Sequence, residues 1–297
     1  MSGKEVEEAD ICCANCGVAE VDDIKFEDCD GCDLVKYCSN NCKEEHREQH
    51  DEDCKKRQRE LHDNKLFTQP DGTHEGECPL CFLPMPLESK KSTFKACCSK
   101  IICDGCVYAN YISNRGRKCS FCREPTAADD EENHKRTMER IKANDPAAMR
   151  VMGTKRYHEG DHDIAIKYWT KAAELGDQEA HYQLSVMYRK GRGVEKDKEK
   201  EICHLEKAAI GGHPNARHNL GCVEGNNGNN EKAVKHFIIA ANLGDEGSMK
   251  ELWKHYSKGN ITKEDLDTTL RTHQAALDEM KSPEREVAEI FFRNYRR

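Results

Sequence analysis

Beyond residue 145 the apolar and small residues fall into a repeating register. The segments "NDPAAM", "GDQEAH", "GHPNAR" and "GDEGSM" put Asp145, Asp177, His213 and Asp245 at equivalent positions, at intervals of 32, 36 and 32 residues. Each interval closes alike, with "YWTKAAELG", "HLEKAAIGG" and "HFIIAANLG". A period of this length predicts stacked helix–turn–helix units, each burying its apolar face only against its neighbours. Ala172-Ala173, Ala208-Ala209 and Ala240-Ala241 let adjacent helices approach closely, while Trp169, Leu205 and Phe237 share one position and should form an apolar spine. The last unit drifts, and "SPEREVAEIFFRNYRR" reads as a helix capping the stack, with Pro283 near its start.

Earlier in the chain the organising residues are cysteines. Of the 18 cysteines among 297 residues, only Cys203 and Cys222 lie beyond residue 122. These two have no ligand-spaced partners and read as small packing residues. With a mean hydropathy of -0.92 and 34% charged residues, one large apolar core is disfavoured relative to small modules joined to a repeat array. The start "MSGKEVEEAD" lacks the basic and apolar regions of an export signal, and no apolar run approaches the ~18 residues of a membrane span. Metal binding in the cytoplasm or nucleus is therefore expected over a secreted disulfide scaffold. The net charge of -8 argues against a nucleic-acid surface. The basic run from Lys55 to Arg59 reads as a solvated helix end rather than an import patch.

The first cluster runs Cys13-x2-Cys16, Cys29-x2-Cys32, Cys38-x3-Cys42 and His50-x3-Cys54, a ligand set for two tetrahedral zinc ions. Ser39 is a candidate N-cap, and His50 and Cys54 project from one face of the helix that follows. His46 reads as a solvated helix histidine and Cys12 as a spare thiol. The order of ligands, including "YCSNNC", resembles the MYND zinc finger over residues 13–54. That resemblance implies interleaved pairing, with Cys13, Cys16, Cys38 and Cys42 on one ion and Cys29, Cys32, His50 and Cys54 on the other. It also implies binding of short proline-containing peptides. Some MYND proteins are SET methyltransferases, but no SET-like sequence is present.

The second cluster comprises Cys78-x2-Cys81, the doublet Cys97-Cys98, Cys103-x2-Cys106 and Cys119-x2-Cys122. Alternating pairs would place Cys78, Cys81, Cys103 and Cys106 on one ion, and Cys97, Cys98, Cys119 and Cys122 on another. Adjacent cysteines can share a metal only if the backbone turns both sulfurs the same way. Were only one to bind, the second site would keep an open position. Lys100, a protonated amine, is no ligand and reads as solvated. The phrases "CPLC", "ICDGC" and "CSFCREP" resemble the RING family in its all-cysteine form, over residues 77–125. "CPLCFLPMPLESKKSTFKACCSK" further resembles a RING-plus-repeat family common in diatoms.

The RING resemblance implies a ubiquitin-conjugating enzyme as partner. Leu80 then matches its apolar contact, Arg123 the cation that bridges both partners, and Pro125 the residue closing the groove. The chain departs from the pattern at Ser120, where proline is common, and the groove aromatic is displaced to Tyr108 or Tyr111. "LSVMYRKGRGVEKD" resembles the loop of Sel-type, tetratricopeptide-like repeats.

The expected organisation is multidomain and mainly α, with two cross-brace zinc modules ahead of a helical solenoid. A disordered segment, 1–11, precedes a MYND-like finger at 12–61, a linker at 62–76 and a RING-like finger at 77–125. An acidic linker or helix follows at 126–144, then repeats at 145–282 and a capping helix at 283–297. Four zinc ions are expected. Function divides between a RING-type ubiquitin ligase, recruiting substrates through the MYND finger and the repeats, and a non-enzymatic interaction scaffold. Binding to a membrane is not expected.

Overall fold

The computed structural model describes residues 12–18, 25–114 and 116–295, which divide into two units, one ending at Thr68 and one beginning at Gln69. The segment 1–11, expected to be disordered, lies outside the described residues. In the first unit β1 (Glu27–Asp28) pairs antiparallel with β2 (Lys36–Tyr37), and α1 spans Asn40–Phe67. Ser39 has an extended backbone and accepts the Cys42 N–H, as an N-cap does. Only His50 and Leu66 of this long helix are buried, so no apolar stripe anchors it. Tyr37 is buried beside it, and its hydroxyl lies 3.1 Å from His46 Nδ1. His46 in turn stacks on His50. His46 is thus a packing partner rather than the solvated histidine expected. The helix also continues through residues 62–67, where a linker was expected, because nothing in that polar stretch breaks it.

The second unit starts with the second cysteine module. Strands β3 (Ser92–Lys95) and β4 (Lys100–Cys103) pair antiparallel, ending on Lys95 opposite Lys100, and α2 (Asp104–Asn114) follows. Its core is small: Cys78, Met85, Ile102 and Cys103, with Leu80 packed at the edge. Lys100 is exposed, but its ammonium sits 5.8 Å from the centre of the Phe121 ring, so it is less free than expected. The acidic segment that follows forms α3 (Asp130–Lys142), capped by Asp129. Arg136 of α3 donates to the Pro125 carbonyl, and Arg140 to the carbonyls of Ala96 and Cys97, so α3 is fastened to the module.

The repeats follow as helix pairs: α4 (Pro146–His158) with α5 (His162–Glu174), then α6 (Gln178–Lys190) with α7 (Lys198–Ile210). The next pairs are α8 (Pro214–Asn226) with α9 (Asn230–Asn242), and α10 (Glu246–Ser257) with α11 (Lys263–Glu279). Asp145, Asp177, His213 and Asp245 each cap the first helix of a pair by accepting an N–H three residues on. The caps also bind sideways. Arg150 of α4 reaches Asp177 at 2.9 Å, Tyr182 of α6 packs on His213, and His218 of α8 approaches Asp245 at 3.3 Å. Residues 150, 182 and 218 are equivalent, so each unit holds the cap of the next. Trp169, Leu205 and Phe237 are each at most 2% exposed, as a spine requires. The two large rings need space: a Cβ on Gly153 would lie 2.7 Å from Trp169, and one on Gly221 2.6 Å from Phe237. Ser185 takes the equivalent place in the unit with the smaller Leu205.

Residues 69–76, expected as linker, lie along the repeats. The His74 N–H donates to the Gly212 carbonyl, Arg150 pairs with Glu75 at 3.0 Å, and the His74 ring stacks on His213. The C-terminal helix α12 (Pro283–Tyr295) also departs from expectation. Rather than serving only as an end cap, it packs on α2, where Phe291 meets Tyr108 and Tyr111 and Glu289 pairs with Lys91. Ala288 of α12 is fully buried, whereas Val287 and Ile290 stay exposed.

The Gly153→Ala substitution should destabilise the array by about 1–3 kcal/mol, because a methyl would be forced against Trp169. By contrast Gly225→Ala, whose Cβ would meet only Ala233 at 3.8 Å, should be neutral or stabilising by up to about 1 kcal/mol. Urea unfolding followed by far-ultraviolet circular dichroism checks the pair. Equal behaviour of the two variants would refute the spine argument.

Candidate metal centres

Three of the cysteine pairs are built on one backbone device. In each, the N–H after the second cysteine donates to the carbonyl of the first: Gly17 to Cys13, Phe82 to Cys78 and Arg123 to Cys119. The first cysteine's own N–H donates five residues onward, to Val18, Leu83 and Glu124 respectively. The loop closes only if the residue after the second cysteine turns left-handed, and φ is 72° at Gly17, 57° at Phe82 and 66° at Arg123. Glycine adopts that conformation freely; phenylalanine and arginine are held there at a cost of about 1 kcal/mol or more.

The doublet is solved differently. The β3–β4 hairpin confines Ala96, Cys97, Cys98 and Ser99 to a four-residue loop, with Ser99 left-handed at φ 56° and its N–H on the Lys95 carbonyl. That turn aims both adjacent sulfurs at Cys119 and Cys122, with Cys97 3.4 Å from Cys122 and Cys98 3.9 Å from Cys119.

The ligand atoms gather into four groups, in each of which all lie within 4.8 Å of one another. They are Cys13, Cys16, Cys38 and Cys42; Cys29, Cys32, His50 and Cys54; Cys78, Cys81, Cys103 and Cys106; and Cys97, Cys98, Cys119 and Cys122. This grouping coincides with the one that the MYND resemblance implied for the first cluster and the alternation of pairs for the second. Sulfur separations include 3.6 Å for Cys16 to Cys38, 3.7 Å for Cys29 to Cys54 and 3.7 Å for Cys81 to Cys103. A tetrahedral ion with zinc–sulfur bonds of about 2.3 Å sets its sulfurs roughly 3.8 Å apart. A disulfide would bring them to about 2.05 Å. The four groups therefore fit zinc, and every described cysteine is a free thiol.

Without a cation, these groups conflict over protons. Burial works against the Cys13 thiolate, yet the N–H groups of Cys16, Cys38 and Asn15 hold its pKa down at about 6. Its neighbour Cys38, hydrogen-bonded to Cys16, Cys13 and Cys42, is pushed up to about 12. Cys119 likewise sits at about 7 despite burial, because the Cys122 and Phe121 N–H groups point at it. A divalent cation removes the repulsion that keeps the remaining thiols protonated.

Around the third group, Arg285 of α12 donates to Cys81 Sγ at 3.5 Å and to the carbonyls of Leu83 and Pro84. The chain comes so near that a Cβ on Gly105 would lie 2.9 Å from Arg285 Cγ and 3.0 Å from its backbone nitrogen. The glycine of "CDGC" is thus there for α12. Among the proposed partner-contact residues, Leu80 is half-buried against the module core, while Arg123 and Pro125 are exposed in the last knuckle and the turn after it. Phe82 is 71% exposed, a surface residue that the sequence reading passed over. Its place directly after a knuckle cysteine was the available signal. Tyr108 and Tyr111 face α12.

The MYND finger family matches residues 13–54, and the Sel1 repeat family matches residues 146–177, 178–213 and 214–245. The chain carries a MYND finger and three Sel1 repeats. No curated protein matches it in sequence. Among solved structures it is similar to a Sel1 repeat protein from Oxalobacter formigenes, at 24% identity and a TM-score of 0.45, over 58% of this chain and 71% of that one. It is also similar to a protective antigen from uropathogenic Escherichia coli strains with an SLR fold, at 20% identity and a TM-score of 0.41. That match covers 61% of this chain and 39% of the antigen. No described helix is long and apolar enough to cross a membrane.

The Cys98→Ser variant should carry one zinc ion fewer than wild type by elemental analysis, since serine is a poor ligand and three thiolates hold zinc weakly. An unchanged zinc content would remove Cys98 from the ligand set.

Proposed function

We propose that this chain is a protein-interaction platform whose second cysteine module works as a RING-type ubiquitin ligase, with four structural zinc ions. In this reading the MYND finger takes short proline-containing peptides, the Sel1 repeats select substrates, and the second module positions a ubiquitin-charged conjugating enzyme. The supporting observation is the last knuckle: Arg123 stands exposed at its left-handed position, with no ion pair to any described residue, two residues before exposed Pro125. A guanidinium held outward on a zinc-fixed turn can donate to carbonyls of two partners at once. The module itself forms and breaks no bond in this role; it lowers the barrier by holding the reactive complex in place. Exposed Phe82 supplies an apolar contact from the first knuckle, with Leu80 packed beneath the same loop.

A second reading, a non-enzymatic scaffold, is favoured by the aromatics of α2. Tyr108 and Tyr111 already pack on Phe291, which takes up part of the aromatic face that a partner enzyme would use, although Tyr111 keeps 41% of its surface exposed.

Self-ubiquitination of zinc-loaded protein with a panel of conjugating enzymes separates the two. The ligase reading expects ubiquitin chains from wild type and a loss of at least about tenfold in Arg123→Gly. Glycine relieves the left-handed backbone there, so that variant tests the guanidinium and not the fold. No chains with any enzyme would leave the scaffold. Elemental analysis of the same preparation should give four zinc ions per chain; three or fewer would contradict the complete set.

A further inference from the structure

Cys222, one of three cysteines outside the metal centres, has company that its sequence position does not announce. It lies one turn after His218 on α8, with its sulfur 3.6 Å from His218 Nε2. The other ring nitrogen, Nδ1, is 2.9 Å from Ser248 Oγ and 3.3 Å from Asp245 Oδ1. Asp245 caps α10, so its carboxylate already accepts the Ser248 N–H at 2.6 Å. A carboxylate only accepts, so Nδ1 carries the hydrogen on that side and Nε2 is left to share a proton with the thiol.

In the preceding units the position of His218 is held by Arg150 and Tyr182, and that of Cys222 by Thr154 and Val186. Each of those units ties to the next cap, but neither sets a base beside a nucleophile. The tie alone therefore does not account for the pairing of Cys222 with His218.

We propose that Cys222 is a reactive-thiol site, activated by His218 and Asp245 for modification by peroxides. The thiol proton passes to His218 Nε2, and Asp245 stabilises the imidazolium. The sulfur attacks one peroxide oxygen: an S–O bond forms, the O–O bond breaks, and the departing hydroxide takes the proton from His218 and leaves as water. Cysteine becomes sulfenic acid, and hydrogen peroxide is reduced. The charges around the ring agree with this assignment. Hydrogen bonding to Asp245 and to Cys222 outweighs burial and holds the His218 pKa up at about 10. Burial opposes ionisation of Asp245, but His218 and Ser248 outweigh it and its pKa is lowered. Cys222 is half-buried at the edge of the Phe237 cluster, so it remains reachable by a molecule as small as hydrogen peroxide.

Cys203 provides an internal control. It is exposed on α7 and has no hydrogen bond to a described histidine. Full-length, zinc-loaded protein would be treated with hydrogen peroxide in the presence of a dimedone trap, at a dose that leaves the zinc content unchanged. Labelling of each cysteine would be followed by peptide mass spectrometry. Cys222 should be labelled at least about tenfold faster than the more exposed Cys203, since the thiolate is the attacking form and His218 Nε2 is placed to take the thiol proton. His218→Tyr should reduce the rate to that of Cys203. Tyrosine is native at this position in the preceding repeat, so the fold should persist, as circular dichroism would verify. Asp245→Asn keeps the helix cap and should give a smaller loss. Labelling of Cys222 no faster than Cys203, or a rate unaffected in a folded His218→Tyr or Asp245→Asn variant, would overturn the proposal.

Discussion

The gathering of thiols around a shared cation is the constraint on which the two cysteine modules depend. The second module has a core of four buried residues, two of them metal-site cysteines, and the helix of the first unit buries only His50 and Leu66. So little apolar area cannot offset the entropy of ordering these segments. Structural zinc can supply on the order of 10 kcal/mol per site. The backbone around the sulfurs is shaped accordingly. One hydrogen-bond pattern recurs in the knuckles that begin at Cys13, Cys78 and Cys119, and a tight hairpin does the same work for Cys97 and Cys98. Phe82 and Arg123 are left-handed for this reason, and their side chains point where they do because the metal loops close there.

The repeats use a different economy, in which polar groups do the joining and small residues set the spacing. Three of the caps, Asp177, His213 and Asp245, serve two helices, each holding its own first turn and a side chain from the unit before. The segment 69–76 enters the same network. Glu75 meets Arg150, which is mostly buried, while His74 and His213 stack beside Glu179. Buried charges are tolerated there because they are paired; breaking one partner would strand the other. The consequence for function is mechanical. The second cysteine module, α3, the repeats and α12 form one unit, so a ligand held by the repeats would keep a fixed relation to the exposed knuckles.

What could be read from the sequence was what depends on neighbours along the chain. Ligand spacing, the Ser39 cap, the repeat register and the spine residues all follow from local periodicity and from the geometry of tetrahedral coordination. Even the meeting of Cys97 and Cys98 with Cys119 and Cys122 was legible, because the cysteine pairs alternate along the chain. The fold class followed from the same signals. The docking of residues 69–76 on the repeats was not legible, since a polar stretch carries no mark of the surface it will meet.

The remaining features belong to tertiary structure alone. Gly105 looks like part of a zinc motif, yet the residue that forbids a side chain there is Arg285, 180 positions later in the chain. Phe82 and Leu80 are near neighbours in sequence, and only the fold decides that one is buried at the module edge and the other exposed. His218, Cys222 and Asp245 read separately as a helix residue, a small hydrophobe and a cap, and the stacking of α8 beside α10 turns them into one chemical group. Cysteine spacings, caps and period could be read along the chain, because each is enforced within a turn or a loop. Which surfaces close on one another was decided by packing across many residues, where no local pattern reports the partner.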